Sequence, residues 1–93
     1  MKLVSITRSK IAGKKWTATF ADPKKTTQFG DSSAEDYTQH HDPERRRLYR
    51  ERHKKDLKTG DPSRAGYLSY YILWGNSTNR QKNIAAYKRK FKL

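Results

Sequence analysis

Three features of the chain predict a small α+β domain, an N-terminal β-hairpin or three-stranded antiparallel sheet packed on about three helices. At 93 residues the chain has room for one domain. Residues 2–30 hold β-branched and aromatic residues in alternation, interrupted by turn signals. Beyond a connector at 31–42, apolar residues recur at three- and four-residue spacing over about 43–58, 63–74 and 78–91.

The strands come first. Leu3 to Thr7 is rich in β-branched residues and reads as a short strand, followed by a polar stretch around Ser9, Lys10 and Gly13. Lys15 to Ala21 alternates cleanly, with Trp16, Ala18 and Phe20 on one face and Thr17, Thr19 and Ala21 on the other. Asp22-Pro23-Lys24-Lys25 is a turn signal, and Thr26 to Phe29 returns as a partner strand that Gly30 ends. Lys24 and Lys25 therefore sit at one end of the hairpin, and Lys14 and Lys15 at the other. In the acidic connector, Ser33 with Glu35 and Asp36 can open a helical turn through Tyr37.

The first long helix has a strong start. Asp42 is a good N-cap, Pro43 suits the first helical position, and Glu44 lies at the positive end of the helix dipole. From Arg45 to Lys55 there is no Gly, Pro or β-branched residue, and Gly60-Asp61-Pro62 is a stop signal, so the helix is expected to run to about Lys58. Leu48, Tyr49, His53 and Leu57 make the best inward stripe, which leaves Arg46, Arg47, Arg50, Lys54 and Lys58 outward. In the next helix Leu68, Tyr71 and Ile72 share a face flanked by Tyr67, Tyr70 and Trp74, and this segment is expected to be the buried centre. Gly75 is placed to end it. Ser77 or Thr78 can cap a last helix whose inward stripe is Ile84, Tyr87 and Phe91, with Arg80, Lys82, Arg89 and Lys90 on its other side.

Charge narrows the function. The chain has 22 Lys plus Arg against 9 Asp plus Glu, a net charge of +13. The segment 43–58 holds eight bases and three acids, and 59–93 holds seven bases and one acid. A charged helix face is often merely solvated, and exposed ion pairs contribute only ~0 to 1 kcal/mol. An uncompensated surplus of this size, however, repels itself at low salt unless a partner neutralises it. A polyanion is the expected partner. Only 32% of residues are hydrophobic and the mean hydropathy is −1.22, so a modest core must lean on two Trp, six Tyr and three Phe.

Other classes find less support. There is no cysteine, which excludes a disulfide framework and a thiolate zinc site and fits a reducing compartment. Leu3, Val4 and Ile6 form a run too short for a signal peptide or a membrane span. Asp36, His40, His41, Asp42 and His53 could supply a metal-dependent nuclease. Yet adjacent histidines point to different sides of the backbone, Asp42 is used as a cap, and His53 lies on the inward stripe. No enzyme activity, cofactor or metal is expected.

The aromatic cluster Tyr67, Tyr70, Tyr71 and Trp74 falls at helical spacing beside Leu68 and Ile72, which favours core packing over base stacking. No helix-turn-helix, zinc-finger, zipper or RNA-recognition signature is present. The expectation is therefore phosphate-led, weakly sequence-selective binding of double-stranded DNA. Arg45, Arg46, Arg47, Arg50, Lys54 and Lys58 would make the main contacts, Arg89, Lys90 and Lys92 a second patch, and Lys24 and Lys25 a third. The alternative is an interaction protein docking on an acidic protein or on ribosomal RNA; a membrane partner is not expected, because the apolar faces are needed for the core.

The residues FGDSSAEDYTQHHDPERRRLYRERHKKD (Phe29–Asp56), AGYLSYYILWG (Ala65–Gly75) and YKRKF (Tyr87–Phe91) carry a likeness in order and spacing. Through the pairing of DYT-x-H-x-D with a later LS-x-x-ILWG, the chain resembles a family of small, basic, uncharacterised proteins of large DNA viruses. The likeness spans roughly Trp16 to Phe91 and leaves the first fifteen residues outside it. It implies a viral source and a role near the genome or in the particle, such as packaging or compaction, in the virion or the infected host cell, and makes the alternative's acidic partner a virion or host protein; the short apolar run near Leu3 already speaks against secretion. The likeness transfers no catalytic residue.

Overall fold

The computed structural model describes all of residues 1–93. Three strands, β1 (Lys2–Arg8), β2 (Lys14–Ala21) and β3 (Lys25–Asp31), form an antiparallel meander in the order β1-β2-β3. The register puts Trp16 opposite Phe29 and Arg8, Ala18 opposite Thr27 and Ile6, and Phe20 opposite Lys25 and Leu3. One face of the sheet is thus the predicted Trp16, Ala18 and Phe20 face, joined by Leu3 and Phe29. The other face carries Ser5, Thr7, Thr17, Thr19, Thr26 and Gln28 and is open to solvent, with Ser5, Thr7 and Thr26 exposed. Thr17 Oγ1 donates to Gln28 Oε1 at 2.6 Å across it. β3 begins one residue earlier than the sequence suggests, after a turn in which Asp22 takes φ 57.

Helical elements cover the apolar face of the sheet. They are α1 (Tyr37–His40), α2 (Pro43–His53), a 3₁₀ segment (Lys54–Thr59), α3 (Ala65–Leu68), a π-helical segment (Ser69–Leu73) and α4 (Arg80–Phe91). The architecture is α+β, as the patterning predicts. α1 is a capping box: Asp36 accepts from Thr38 N at 2.9 Å and Gln39 Oε1 accepts from Asp36 N at 3.1 Å. α2 starts as expected, with Asp42 Oδ1 accepting from Glu44 N and Arg45 N and with Pro43 in the first turn.

Three predicted details are corrected. The α-helix that opens at Pro43 stops at His53, and residues 54–59 tighten into the 3₁₀ segment. There the Leu57 carbonyl accepts from Gly60 N at 3.2 Å and from the hydroxyl of the buried Tyr67 at 2.7 Å. The segment 63–74 is not one α-helix. After a single α-turn it widens, with Trp74 N donating to Ser69 O five residues back. This change of pitch buries Tyr67, Leu68, Tyr70, Ile72, Leu73 and Trp74, while Tyr71 is only half-buried. Third, the last helix is capped by Asn79, whose side chain accepts from Lys82 N at 3.1 Å, and not by Ser77 or Thr78.

The core is one cluster, formed by Leu3, Ala18, Phe20 and Phe29 from the sheet, Tyr67, Leu68, Ile72, Leu73 and Trp74 from the central segment, and Tyr87 from α4. Tyr87 is 2% exposed, and its hydroxyl donates to Pro62 O, which leaves no buried orphan. Burial raises its pKa far above the ordinary tyrosine range. The loop 75–78 is held by buried Asn83: its amide donates to Ile72 O at 2.9 Å and Ser77 O at 2.7 Å, and its oxygen accepts from Ser77 N at 3.0 Å. Gly75 is required there by space, since a Cβ would lie 2.2 Å from Tyr71 O. α4 begins with Arg80 against Trp16 and ends at the first strand, where Leu3 N donates to Leu93 O at 3.2 Å. It therefore runs antiparallel to β1.

Candidate nucleic-acid interface

The orientation of α2 is fixed by aromatic stacking. The Tyr49 ring lies parallel to Trp74, with centroids 4.1 Å apart and planes within 5°, and His53 stacks on its other neighbour side at 4.1 Å. Burial, with the Asp56 carboxylate nearby, pushes the Tyr49 hydroxyl up to about 12. With Tyr49 inward, the residues three before and one after it flank the contact, and both are arginines. Arg46 donates through Nε to Gly75 O at 2.7 Å and through Nη2 to Asn76 Oδ1 at 2.8 Å. Arg50 donates through Nη1 to Trp74 O at 2.7 Å and Tyr70 O at 3.1 Å, with its guanidinium 3.9 Å from the Tyr70 ring centroid. The end of a helical segment leaves carbonyls without intrahelical partners, and cations are favoured there. Arg50 meets that need for the π-helical segment at Tyr70 and its cap Trp74, and Arg46 holds the loop that follows.

The predicted outward set is corrected accordingly. Arg46 and Arg50 are half-buried and face the protein, while Leu48, expected in the core, is exposed. Burial holds the Arg50 pKa below the ordinary arginine range, against the pull of the tyrosines around it. Arg47 is outward but neutralised, 3.2 Å from Glu51 and bonded to Glu44 by two donors. Those bonds raise the Arg47 pKa and lower that of Glu44. Arg45 is exposed, 3.9 Å from Glu35. Within α2 itself, only Arg52 is an exposed cation with no carboxylate or hydrogen-bond partner. Arg52, Arg45 and Leu48 border a cleft of about 430 Å³ whose floor is Tyr49, Leu73 and Trp74. Beyond α2, Lys54, Lys55 and Lys58 of the 3₁₀ segment are exposed and gather around Leu57.

The opposite balance holds in α4. No acidic residue follows Asp61 in the chain. Lys82, Lys88, Arg89, Lys90 and Lys92 are exposed and enter no ion pair. Lys90 lies 5.7 Å from the Tyr71 ring centroid. Asn83 and Tyr87 face the core, so the outer face reads Gln81 and Lys82, then Ala85 and Ala86, then Lys88 and Arg89. Lys92 caps the helix in the left-handed conformation, φ 55. Arg89, Lys90 and Lys92, the second patch, thus stand free.

The other sequence-derived sites divide. Lys24 is exposed at the hairpin tip. Lys25 instead faces the helical layer: its ammonium donates to Ser63 Oγ at 2.8 Å and lies 3.9 Å from Asp61. The Ser63 hydroxyl and amide both donate to Asp61, which lowers that carboxyl's pKa. The histidines and aspartates considered as a metal set do not converge, and no group of three or more such side chains is placed to hold an ion. Asp36 is buried against Lys15 at 2.8 Å. His40 Nδ1 accepts from Asp42 N at 3.0 Å and its ring packs on Trp74, centroids 5.2 Å apart. Burial, then Arg45, lower the His40 pKa. His53 Nδ1 pairs with Asp56 at 3.1 Å.

Left out of the sequence-derived contact set are Arg52, Lys55, Lys82 and Lys88; Lys82 is on the outer side of α4 as expected, whereas Arg80, expected beside it, turns in against Trp16. The signal for the α4 pair was present: a helix without acids, with small residues between its cations. For Arg52 the signal was ambiguous, because Leu48 and Tyr49 compete for the inward position and only the partner of Tyr49 decides.

No helix is long and apolar enough to cross a membrane. No curated protein matches the chain, and no solved structure does. A family model matches residues 4–53, which takes in most of β1, the rest of the sheet, α1 and α2, and reaches into the first fifteen residues that the viral resemblance left out. This is more than half of the 93 residues, and the chain belongs to that family, a family of unknown function designated DUF5754.

Proposed function

We propose that this protein is a non-enzymatic nucleic-acid-binding protein that holds double-stranded DNA through its phosphates, with α4 as the main contact. The observation that carries this reading is the acid-free exposed surface of α4, where Lys82, Lys88 and Arg89 surround Ala85 and Ala86, with Lys90, over the Tyr71 ring, on one flank and Lys92 at the end, none of them in an ion pair. A helix with its side chains is about 10–12 Å across, close to the ~12 Å width of the major groove. Two alanines at the centre of the face let the backbone approach closely, while cations one turn to either side reach the phosphates. The exposed Lys54, Lys55, Lys58 and Arg52 extend the contact, and Lys24 adds charge at the hairpin tip. Arg46, Arg47 and Arg50 play no direct part. The weakness of any base-reading set on this face predicts low sequence selectivity.

The resemblance to small basic proteins of large DNA viruses supports a place beside a viral genome, in packaging or compaction, in the virion or the infected cell. An acidic protein partner is the rival. The two separate by salt: a phosphate-led complex loses affinity log-linearly, with a slope of roughly −0.9 per phosphate neutralised. Fluorescence anisotropy with labelled duplex DNA, single-stranded DNA and duplex RNA should show duplex preference and a slope near −4.5 if about five phosphates are neutralised. Lys88→Gln with Arg89→Gln should make that slope shallower by about 2. Weak, salt-insensitive binding to all three probes would replace this reading with docking on an acidic protein.

A further inference from the structure

A second cluster of cations lies away from the outer face of α4, where the first turn of that helix meets the end of the sheet. Arg8 at the end of β1, Lys14 and Trp16 of β2, Ser32, Thr78 and Arg80 line a cleft of about 480 Å³. The Arg80 guanidinium lies 4.0 Å from the Trp16 ring centroid and that of Arg8 lies 5.5 Å from it. Stacking on an indole orients a planar cation and leaves its edge donors free.

Arg52 and Arg89 also lack partners but stand exposed, whereas Arg8 and Arg80 share one indole and their donors, one of them buried, have no protein partner. Arg46, Arg47 and Arg50 all donate to carbonyls or carboxylates. Arg8 and Arg80 make no hydrogen bond or ion pair within the protein, and Arg80 Nε is buried with no acceptor. A buried donor without a partner costs on the order of 1–3 kcal/mol. The carboxylates nearby do not supply one. Asp36 is held by Lys15 at 2.8 Å and by the amide and hydroxyl of Thr38. Asp31 accepts from Ser33 and, although it sits opposite Lys14 in the β2–β3 ladder, forms no ion pair with it. The hydroxyls of Ser32 and Thr78 are two further uncommitted donors on the wall.

We infer that this cleft binds a phosphate group carrying two or more negative charges. Three cations converge where one diester would leave charge unmatched, and the planar forks of Arg8 and Arg80 suit paired phosphate oxygens. Trp16 serves the site by positioning the cations, since the guanidinium groups already lie against its ring. The same chemistry is offered by the 5′-phosphate of a nucleic-acid strand and by a free polyphosphate, such as that of a nucleoside triphosphate. The site goes beyond the duplex reading, because none of its cations lies on the outer face of α4.

The test is calorimetric titration with inorganic tripolyphosphate at about 150 mM salt, near physiological screening, on the full chain and two double variants. Arg8→Gln with Lys14→Gln changes exposed residues outside the core and should weaken binding at least tenfold. Lys88→Gln with Arg89→Gln should leave it within about twofold while lowering duplex affinity. Arg80→Lys keeps the charge but loses the planar fork, and should weaken tripolyphosphate severalfold. A parallel titration with a short single strand, with and without a 5′-phosphate, assigns the source: preference for the phosphorylated strand points to a strand end, and its absence beside tight tripolyphosphate binding points to a free polyphosphate. Absence of saturable tripolyphosphate binding, or equal losses in the two double variants, would overturn the site. Loss of duplex binding alone would sink the duplex reading and leave this one standing.

Discussion

At the scale of single residues, neighbours decide what a side chain does more than its type. Three arginines in a row illustrate it: Arg45 faces solvent, Arg46 caps a carbonyl from a loop 29 residues on, and Arg47 is neutralised by two glutamates. His40 is another case, carried neutral because its ring packs on Trp74 and Arg45 stands near. Its pKa is depressed in the folded state relative to the ordinary value near 6.5. The folded state therefore resists protonation while the unfolded chain does not, so this contribution to stability is present above pH 6.5 and is lost as pH falls below it. Asp31, Glu44 and Asp61 are also depressed, by hydrogen bonds from Ser33, Arg47 and Ser63. Their contribution persists until the ordinary carboxylate range near 4 is reached. Urea unfolding at pH 7.5 and 5.0 should thus show a loss of stability, and His40→Gln, though less stable at both, should lose less between them. An equal loss in the variant would remove His40 as its source.

Among elements, α2 and α4 exchange the roles that their charge suggested. α2 has the denser run of bases, but its acids and its two inward arginines consume that charge, and the helix is tied to the core by Tyr49, Arg46 and Arg50. α4 has fewer bases and no acids. Arg50→Gln should destabilise the fold by about 2 kcal/mol, because it strips charged hydrogen bonds from two carbonyls. For a chain of this size that is a fall in melting temperature of roughly 10 °C, whereas Lys88→Gln with Arg89→Gln should shift it by no more than a few degrees. Equal shifts would contradict the division of labour, which circular dichroism melts can read directly.

How much of this was legible follows from the range of the interactions. The caps at Asp42 and Pro43, the alternation from Trp16 to Phe20 and the stop at Gly75 rest on contacts within a few residues, and local patterning reads those. The rotation of α2 rests on Tyr49 meeting Trp74, 25 positions away, and two candidate stripes shared the same helix. The π-helical widening at Ser69–Leu73 follows from how many large side chains the core takes from one short segment, which no periodicity of 3.6 expresses. The cleft at Trp16 joins residues from β1, β2 and α4, and nothing near Arg8 in the chain announces Arg80.

For the whole molecule, the dominant fact is an excess of thirteen positive charges within principal dimensions of 37 × 28 × 23 Å. Salt acts on this excess in two opposed ways. The reach of each charge falls from about 20 Å at low salt to about 8 Å at physiological strength, which relieves self-repulsion in the compact state. Raising sodium chloride from about 20 to 200 mM should therefore raise the melting temperature by a few degrees in scanning calorimetry, while it weakens duplex binding. A falling melting temperature would mean that the internal ion pairs outweigh the repulsion.

The bond from Leu3 N to Leu93 O has a kinetic meaning. The meander needs only short loops, so its strands can pair early. Closing a loop of about 90 residues costs on the order of 4 kcal/mol in chain entropy, and that step ties the end of α4, which packs on the π-helical segment, to the start of β1. The helix proposed to meet DNA is thus joined to the sheet by the most distant contact in sequence. The order of assembly this favours is sheet first, central segment next, and the charged helix docking last, once most of the apolar surface beneath it already exists.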